Sequence, residues 1–373
     1  MKKISNTPIF VTQSSLPSFK DFTSDLSKVW GSKVLTNFGE CHKEFELELS
    51  EYLNIDYLSL CSNGTLALLI ALRALNISGE VITTPFTFVA TSNVLLWLGI
   101  TPVFADIDEE TGNIDPKKIE PLITEKTTAI LAVHTYGNPC EIDLIEEIGL
   151  KYKIKVIFDG AQAFGVNNGN FSVLNHGDIS VVSFHATKVF NTFEGGALIL
   201  KNEKLKKKVD SLINFGFENE ESITEIGINA KLSEFNALLG TNQLKYIDNY
   251  ILKRKAKSEL YFSLLESNKY LSFFRFSEHF SQNFGYLPIM IFGHKSITRD
   301  LVYLRLKEQG IYSRKYFYPI LTEFKPYKEL GYKSSDTPIA KSISDRVLCL
   351  PIFPDLSEEN IVKICSSINS LLS

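Results

Sequence analysis

No stretch of this chain approaches the roughly 20 consecutive apolar residues that a membrane helix needs. The longest apolar run, at 66–75, is interrupted by Arg73 and suits a buried helix. The opening M-K-K-I-S-N has no apolar segment of the signal-peptide kind, which predicts a cytoplasmic protein. An excess of basic charge is also missing. The net charge of −4 argues against a nucleic-acid partner. Cysteine is scarce and scattered: Cys41, Cys61, Cys140, Cys349 and Cys365 are odd in number and contain no C-x-x-C. That pattern excludes a disulfide framework, a structural zinc site and an iron–sulfur cluster, and it predicts free, partly buried thiols and no metal. Neither a P-loop nor a G-x-G-x-x-G fingerprint occurs, which weakens any nucleotide-triphosphate or NAD-dependent reading. Internal repeats and low-complexity tracts are absent as well.

What remains is an ordinary globular composition, 44% hydrophobic and 22% charged, over 373 residues. That length fits one large and one smaller domain. Short apolar runs appear at 57–61, 81–83, 103–105, 129–134, 156–159, 179–183 and 197–200, with helical stretches at 65–75, 87–97 and 143–152 between them. Apolar strands alternating with helices predict an α/β fold with a mainly parallel sheet covered on both faces. From 232 to 267 the spacing of Leu232, Phe235, Leu239, Ile247, Tyr250 and Ile251 predicts a long helix leading out of the sheet domain. The remainder reads as a smaller α+β unit, with strands near 286–291 and 311–314 and a last helix at 358–371. The division is placed near residue 250, giving domains 1–250 and 251–373.

Against this map, two residues carry the chemistry. Asp159 closes the apolar run V-I-F-D, and Lys188 lies in a polar loop beyond the strand ending at Ser183. In an open parallel sheet, ligands gather at the carboxyl ends of strands, and both residues fall there. Pyridoxal 5′-phosphate needs a lysine for its Schiff base and an acid beside its ring nitrogen. Taken singly, Lys188 is equally a solvated surface lysine and Asp159 a helix cap. Around them, S-N-G-T (62–65) opens a helix after a strand, offering free N–H groups and the positive helix end to a phosphate, although a plain N-cap looks the same. Phe88 in T-P-F-T-F can lie flat on an aromatic ring, and Gln162 can reach a ring oxygen. Each has its bland counterpart, a core phenylalanine and a first-turn helix residue.

The segments S-N-G-T, T-P-F-T-F-V-A-T, V-H-T-Y-G-N-P, D-G-A-Q-A-F-G, S-F-H-A-T-K-V-F-N-T-F-E-G-G and G-I-N-A-K-L-S-E-F-N-A occur in the order that resembles the DegT/DnrJ/EryC1/StrS sugar aminotransferases. The resemblance runs from about residue 30 to the C-terminus. It implies a fold-type I transferase dependent on pyridoxal phosphate, working as a homodimer with its active site at the subunit interface. By the same resemblance Lys188 is the Schiff-base lysine and Asp159 the pyridinium partner, while Phe88 stacks on the ring and Gln162 meets its phenolic oxygen. Gly64, Thr65 and Ser183 bind the phosphate, and Asn229 reaches the phosphate of the other subunit's cofactor. The lysine loop is similar to that of enzymes acting at C4 of dTDP-4-keto-6-deoxyhexoses, with L-glutamate as amino donor. Amination of a 3-keto sugar at C3 and a sugar dehydratase are the alternatives; the dehydratases replace the lysine with histidine or add a cysteine-bound cluster. His185 in the lysine loop and Tyr316 in Y-S-R-K-Y-F-Y-P are candidate substrate contacts. His134 and Tyr136 are read as neighbours of the chemistry rather than participants.

Overall fold

A computed structural model of the protein describes residues 8–294 and 296–373. The seven expected strands all form, as β1 (Leu58–Cys61), β2 (Glu80–Thr83), β3 (Thr101–Phe104), β4 (Thr127–Val133), β5 (Lys155–Asp159), β6 (Ile179–Ser183) and β7 (Gly196–Leu200). They make one sheet in the order β1-β7-β6-β5-β4-β2-β3. Only β7 runs against its neighbours, so β1 is parallel to β6 and the carboxyl ends of β1, β2, β5 and β6 share one edge.

The apolar runs are continuous because both faces are buried. Ile130, Ala132, Phe158 and Val182 enter one core cluster, while Leu131, Ile157 and Val181 enter another on the opposite face. Successive strand residues point to opposite sides, so neither face tolerates polar alternation. Burying each of these Ile, Leu, Val and Phe side chains contributes about 1.5–3 kcal/mol.

The long helix expected at 232–267 is two helices, Glu234–Leu244 and Ile247–Leu265. The first is buried along nearly its whole length and packs on the helix Glu40–Leu53. Gly240 makes that approach feasible, since a Cβ there would lie 2.5 Å from the ring of Phe45. The chain leaves by a tightened turn in which the Tyr246 N–H donates to Gln243 O at 3.0 Å. No proline or glycine marks this break, and the apolar spacing runs through it unchanged. The second helix starts in the sheet core at Ile247 and ends in a separate cluster with Tyr261 and Leu265. That cluster is built on the antiparallel strands Leu271–Phe273, Pro288–Ile291 and Val347–Cys349 and the helices Arg299–Glu308 and Glu358–Leu372. The strand expected at 311–314 is shorter, Ile311–Tyr312. It pairs in parallel with Ile9–Phe10, so these N-terminal residues pack with the C-terminal unit. Among the described residues, no helix is long and apolar enough to cross a membrane.

One carboxyl group ties the two helices over the sheet together. The helix Glu40–Leu53 starts at Gly39, which has no side chain to cap it. Glu234 does so instead: its buried carboxyl oxygens accept from Cys41 N at 2.8 Å and His42 N at 3.2 Å. Glu234→Ala therefore strands two buried donors. The expected cost is about 2 kcal/mol, read as a melting temperature lower by roughly 4 °C, with Glu234→Gln intermediate.

Candidate active site

The loop between β6 and β7 holds its shape through its own backbone. The Phe184 N–H donates to Gly195 O at 2.8 Å, Thr192 N–H to Phe184 O at 2.9 Å, and Lys188 N–H to His185 O at 2.9 Å. Phe184 and Phe190 are buried against Phe45 and Phe164, pinning the loop from below. From above, Asn236 Nδ2 donates to Thr192 O and Glu194 O, both at 2.7 Å. Lys188 rises from this frame half-buried, and its Nζ lies 3.3 Å from the hydroxyl of Tyr286. The partial burial and the aromatic neighbour separate it from the solvated lysines of the surface.

Asp159 stands at the end of β5, buried. Its Oδ2 accepts from Thr91 Oγ1 at 2.8 Å and its Oδ1 from Ala161 N at 3.1 Å. Burial raises its carboxyl above the usual range; the Thr91 and Ala161 hydrogen bonds and the charge of Lys188 pull the other way. No salt bridge to Asp159 forms among the described residues, so this buried acid feels the Lys188 charge only from beyond salt-bridge distance. Thr91 sits three residues after Phe88, on the same side of the helix Val89–Trp97. Phe88 is 57% exposed, a large flat ring presented to solvent beside a buried acid.

At the end of β1, Asn63 caps the helix Gly64–Ala74, which begins one residue earlier than expected, by accepting from Leu66 N at 2.9 Å. The N–H groups of Gly64 and Thr65 have no partner among the described residues. Gly64 lies against Ser183: a Cβ on it would be 2.9 Å from the serine Cβ. Gly196, paired with both Cys61 and Ser183, is equally confined, with Asn63 C at 2.8 Å from a Cβ built there. Two N–H groups with no partner among the described residues thus lie at a helix N-terminus against Ser183, whose hydroxyl accepts from His185 N at 3.3 Å, an arrangement that fits a phosphate.

The other expected residues divide. Gln162 is buried, and its Oε1 accepts the Tyr136 N–H at 2.5 Å, which leaves its Nε2 as the outward donor. Tyr316 meets Tyr286 edge-on at 6.0 Å, receives a hydrogen bond from the Tyr136 hydroxyl on its backbone oxygen, and carries the Arg314 guanidinium 5.2 Å from its ring centre. Residues 314–319, with Phe88 and Tyr303, line a cleft of about 390 Å³. His185 is turned into its own loop, with Nδ1 2.8 Å from Thr187 Oγ1 and Nε2 3.7 Å from Glu194. Asn229 is exposed, next to Ala230, whose carbonyl accepts from Ser62 N at 2.8 Å. His134 is buried, stacked on Phe158 at 4.9 Å and pushed down to about 3 by burial, so it is a neutral packing group. Sequence reasoning gave no role to Thr91 or Tyr286. Thr91 was readable from its spacing to Phe88, whereas nothing in the local sequence marks Tyr286. Among the described residues, no cluster of acids, histidines and cysteines can hold a metal ion.

Residues 18–369 match the DegT/DnrJ/EryC1/StrS aminotransferase family. The chain belongs to that family. It is 44% identical over 364 residues to a dTDP-4-amino-4,6-dideoxy-D-glucose transaminase of Shigella dysenteriae, covering 98% of this chain and 99% of the relative. A protein of the same description from Escherichia coli is 46% identical over 356 residues, or 95% and 96% of the two chains. Among solved structures, DesI in the presence of its TDP-sugar product superposes with a TM-score of 0.92 at 31% identity, over 97% of this chain and 92% of that one. The fold is accordingly that of the fold-type I aminotransferases, as the resemblance implied, and its mainly parallel sheet is the one that the alternation of strands and helices predicted.

Proposed function

We propose that the protein transfers the amino group of L-glutamate to C4 of a dTDP-4-keto-6-deoxyhexose, giving the 4-amino-4,6-dideoxyhexose of gluco configuration, with pyridoxal phosphate as cofactor. The observation that carries this reading is a buried acid with no salt-bridge partner among the described residues, set on the same sheet edge as a half-buried lysine. A protonated ring nitrogen would give Asp159 the salt-bridge partner that it lacks among the described residues. Gly64, Thr65 and Ser183 bind the phosphate, Phe88 covers one face of the ring, and the Nε2 of Gln162 donates to the phenolic oxygen. His185 and Tyr316 flank the sugar. The curated relatives favour C4 over C3 amination, because both are named for a 4-amino sugar. The retained lysine speaks against a dehydratase.

Bound there, the cofactor supplies an electron sink that acidifies the carbon bearing the transferred amine. Asp159, kept from water by its burial, holds the ring nitrogen protonated and so maintains that sink. Lys188 Nζ moves the proton at the α-carbon of glutamate in one half-reaction and at C4 of the sugar in the other. Glutamate leaves as 2-oxoglutarate. Asn229, exposed in the single chain, completes the phosphate site of a second copy in a homodimer. The division proposed between residues 1–250 and 251–373 falls in the helix Ile247–Leu265, with Ile9–Phe10 packed on the second unit.

The purified protein is expected to show a near-visible absorbance band that bleaches with glutamate. Mass spectrometry across dTDP-, UDP- and GDP-linked 4-keto and 3-keto hexoses should then find amination of the dTDP 4-keto sugar. A colourless protein that takes up no pyridoxal phosphate, or turnover confined to 3-keto sugars, overturns the proposal. Gly64→Ala tests the cradle: the added methyl displaces Ser183, and cofactor affinity at equilibrium should weaken about tenfold.

A further inference from the structure

The segment 283–286 comes from the C-terminal unit, yet it is fastened to the lysine loop and to the loop after β5 at successive points. Asn283 Nδ2 donates to Gln162 O at 2.8 Å and Phe164 O at 2.9 Å, while its Oδ1 accepts from Gly285 N at 3.0 Å. Gly285 lies so near the lysine loop that a Cβ there would be 2.7 Å from Val189 Cγ2. Tyr286 follows, its ring set between Tyr136 at 5.8 Å and Tyr316 at 6.0 Å, and its hydroxyl 3.3 Å from Lys188 Nζ. No other hydrogen bond of that Nζ occurs among the described residues.

We propose that Tyr286 is a positioning residue for Lys188, holding the free amine over the reacting carbon between proton transfers. This rests on the function proposed above. A phenol serves both protonation states of a lysine: it accepts from the ammonium and donates to the lone pair of the neutral amine. The contact therefore survives the loss and gain of the proton that acid–base work requires. Without it, a four-carbon stem with several rotatable bonds explores many conformations, and the fraction poised for transfer falls. Because Asn283 fastens this segment to the loop after β5 and Tyr286 meets Lys188, the amine is held only while the C-terminal unit stays docked there.

Tyr286→Phe keeps the ring contacts to Tyr136 and Tyr316 and removes only the hydroxyl, so its melting temperature should equal that of the unaltered protein. Three readouts apply. The holoenzyme should lose about tenfold in kcat with the KM for glutamate within twofold. The isotope effect on kcat with α-deuterated glutamate should rise, because proton transfer becomes slower than the other steps. The apoprotein should capture added pyridoxal phosphate several-fold more slowly in a stopped-flow absorbance trace, as a mobile amine finds the aldehyde less often. If the Phe variant captures the cofactor at the unaltered rate with an unchanged isotope effect, or if only KM rises, the positioning role is wrong while the proposed function stands. If the unaltered apoprotein captures no cofactor, the function falls and this role falls with it.

Discussion

Lys188→Ala is expected to lower kcat about 10⁴-fold, because one amine serves as both covalent anchor and proton carrier. The protein should fold normally. The side chain is half-buried, its hydrogen bond is to the Tyr286 hydroxyl at 3.3 Å, and the loop's shape is carried by Phe184, Phe190 and Asn236 instead. Cofactor should still be retained through the Gly64–Ser183 hollow, but hydride reduction should no longer leave it attached to the peptide containing position 188. Lys188→Arg separates charge from chemistry. A guanidinium keeps the positive charge but neither condenses with an aldehyde nor gives up its proton near neutral pH, so the loss should be as large. Single-turnover measurement of the glutamate half-reaction is the check. If the Arg variant retained a tenth of the activity, Lys188 would be an electrostatic group and the acid–base carrier would lie elsewhere.

How far the site could be read in advance follows from how local each signal is. Asp159 and Lys188 were legible because a carboxylate ending an apolar run, and a lysine just past another, need only strand ends to be brought together. Parallel pairing of β5 and β6 does the rest. The Gly64 hollow was legible as a strand-to-helix turn, but the reason for glycine was not: it is the approach of Ser183, more than a hundred residues away. Tyr286 was invisible for the same cause, since its hydroxyl meets Lys188 across 98 positions and no periodicity encodes that contact. The break at 245–246 escaped because no proline or glycine marks it and the apolar spacing continues across it. Glu234 capping a helix 193 positions earlier belongs to the same class. Local chemistry was readable and long-range contact was not.

Asp159→Asn should separate activity from stability with opposite signs. The amide is the same size, can still accept from Thr91 Oγ1 or Ala161 N, and carries no charge to keep a ring nitrogen protonated. The electron sink is then lost, and the glutamate half-reaction should slow about 10³-fold, of the order seen when a preorganised electrostatic group is removed from a closed site. The apoprotein should move the other way. Burial raises the Asp159 carboxyl above its ordinary value, so ionising it costs more in the folded apoprotein than in the unfolded chain, which solvates the charge. A group whose folded pKa is raised in this way carries its full penalty above the folded pKa, and the penalty shrinks as pH falls through that pKa and is gone below the unfolded value. Asp159→Asn should therefore raise the apoprotein melting temperature at pH 7, and the gain should shrink as pH falls into the carboxyl range. Saturating pyridoxal phosphate should narrow the difference, because the bound ring supplies the cation that only the aspartate can use. An Asn variant less stable than the unaltered apoprotein at pH 7 would mean that Asp159 already has its charge partner in the protein, and the argument for a cationic guest at that position would fail.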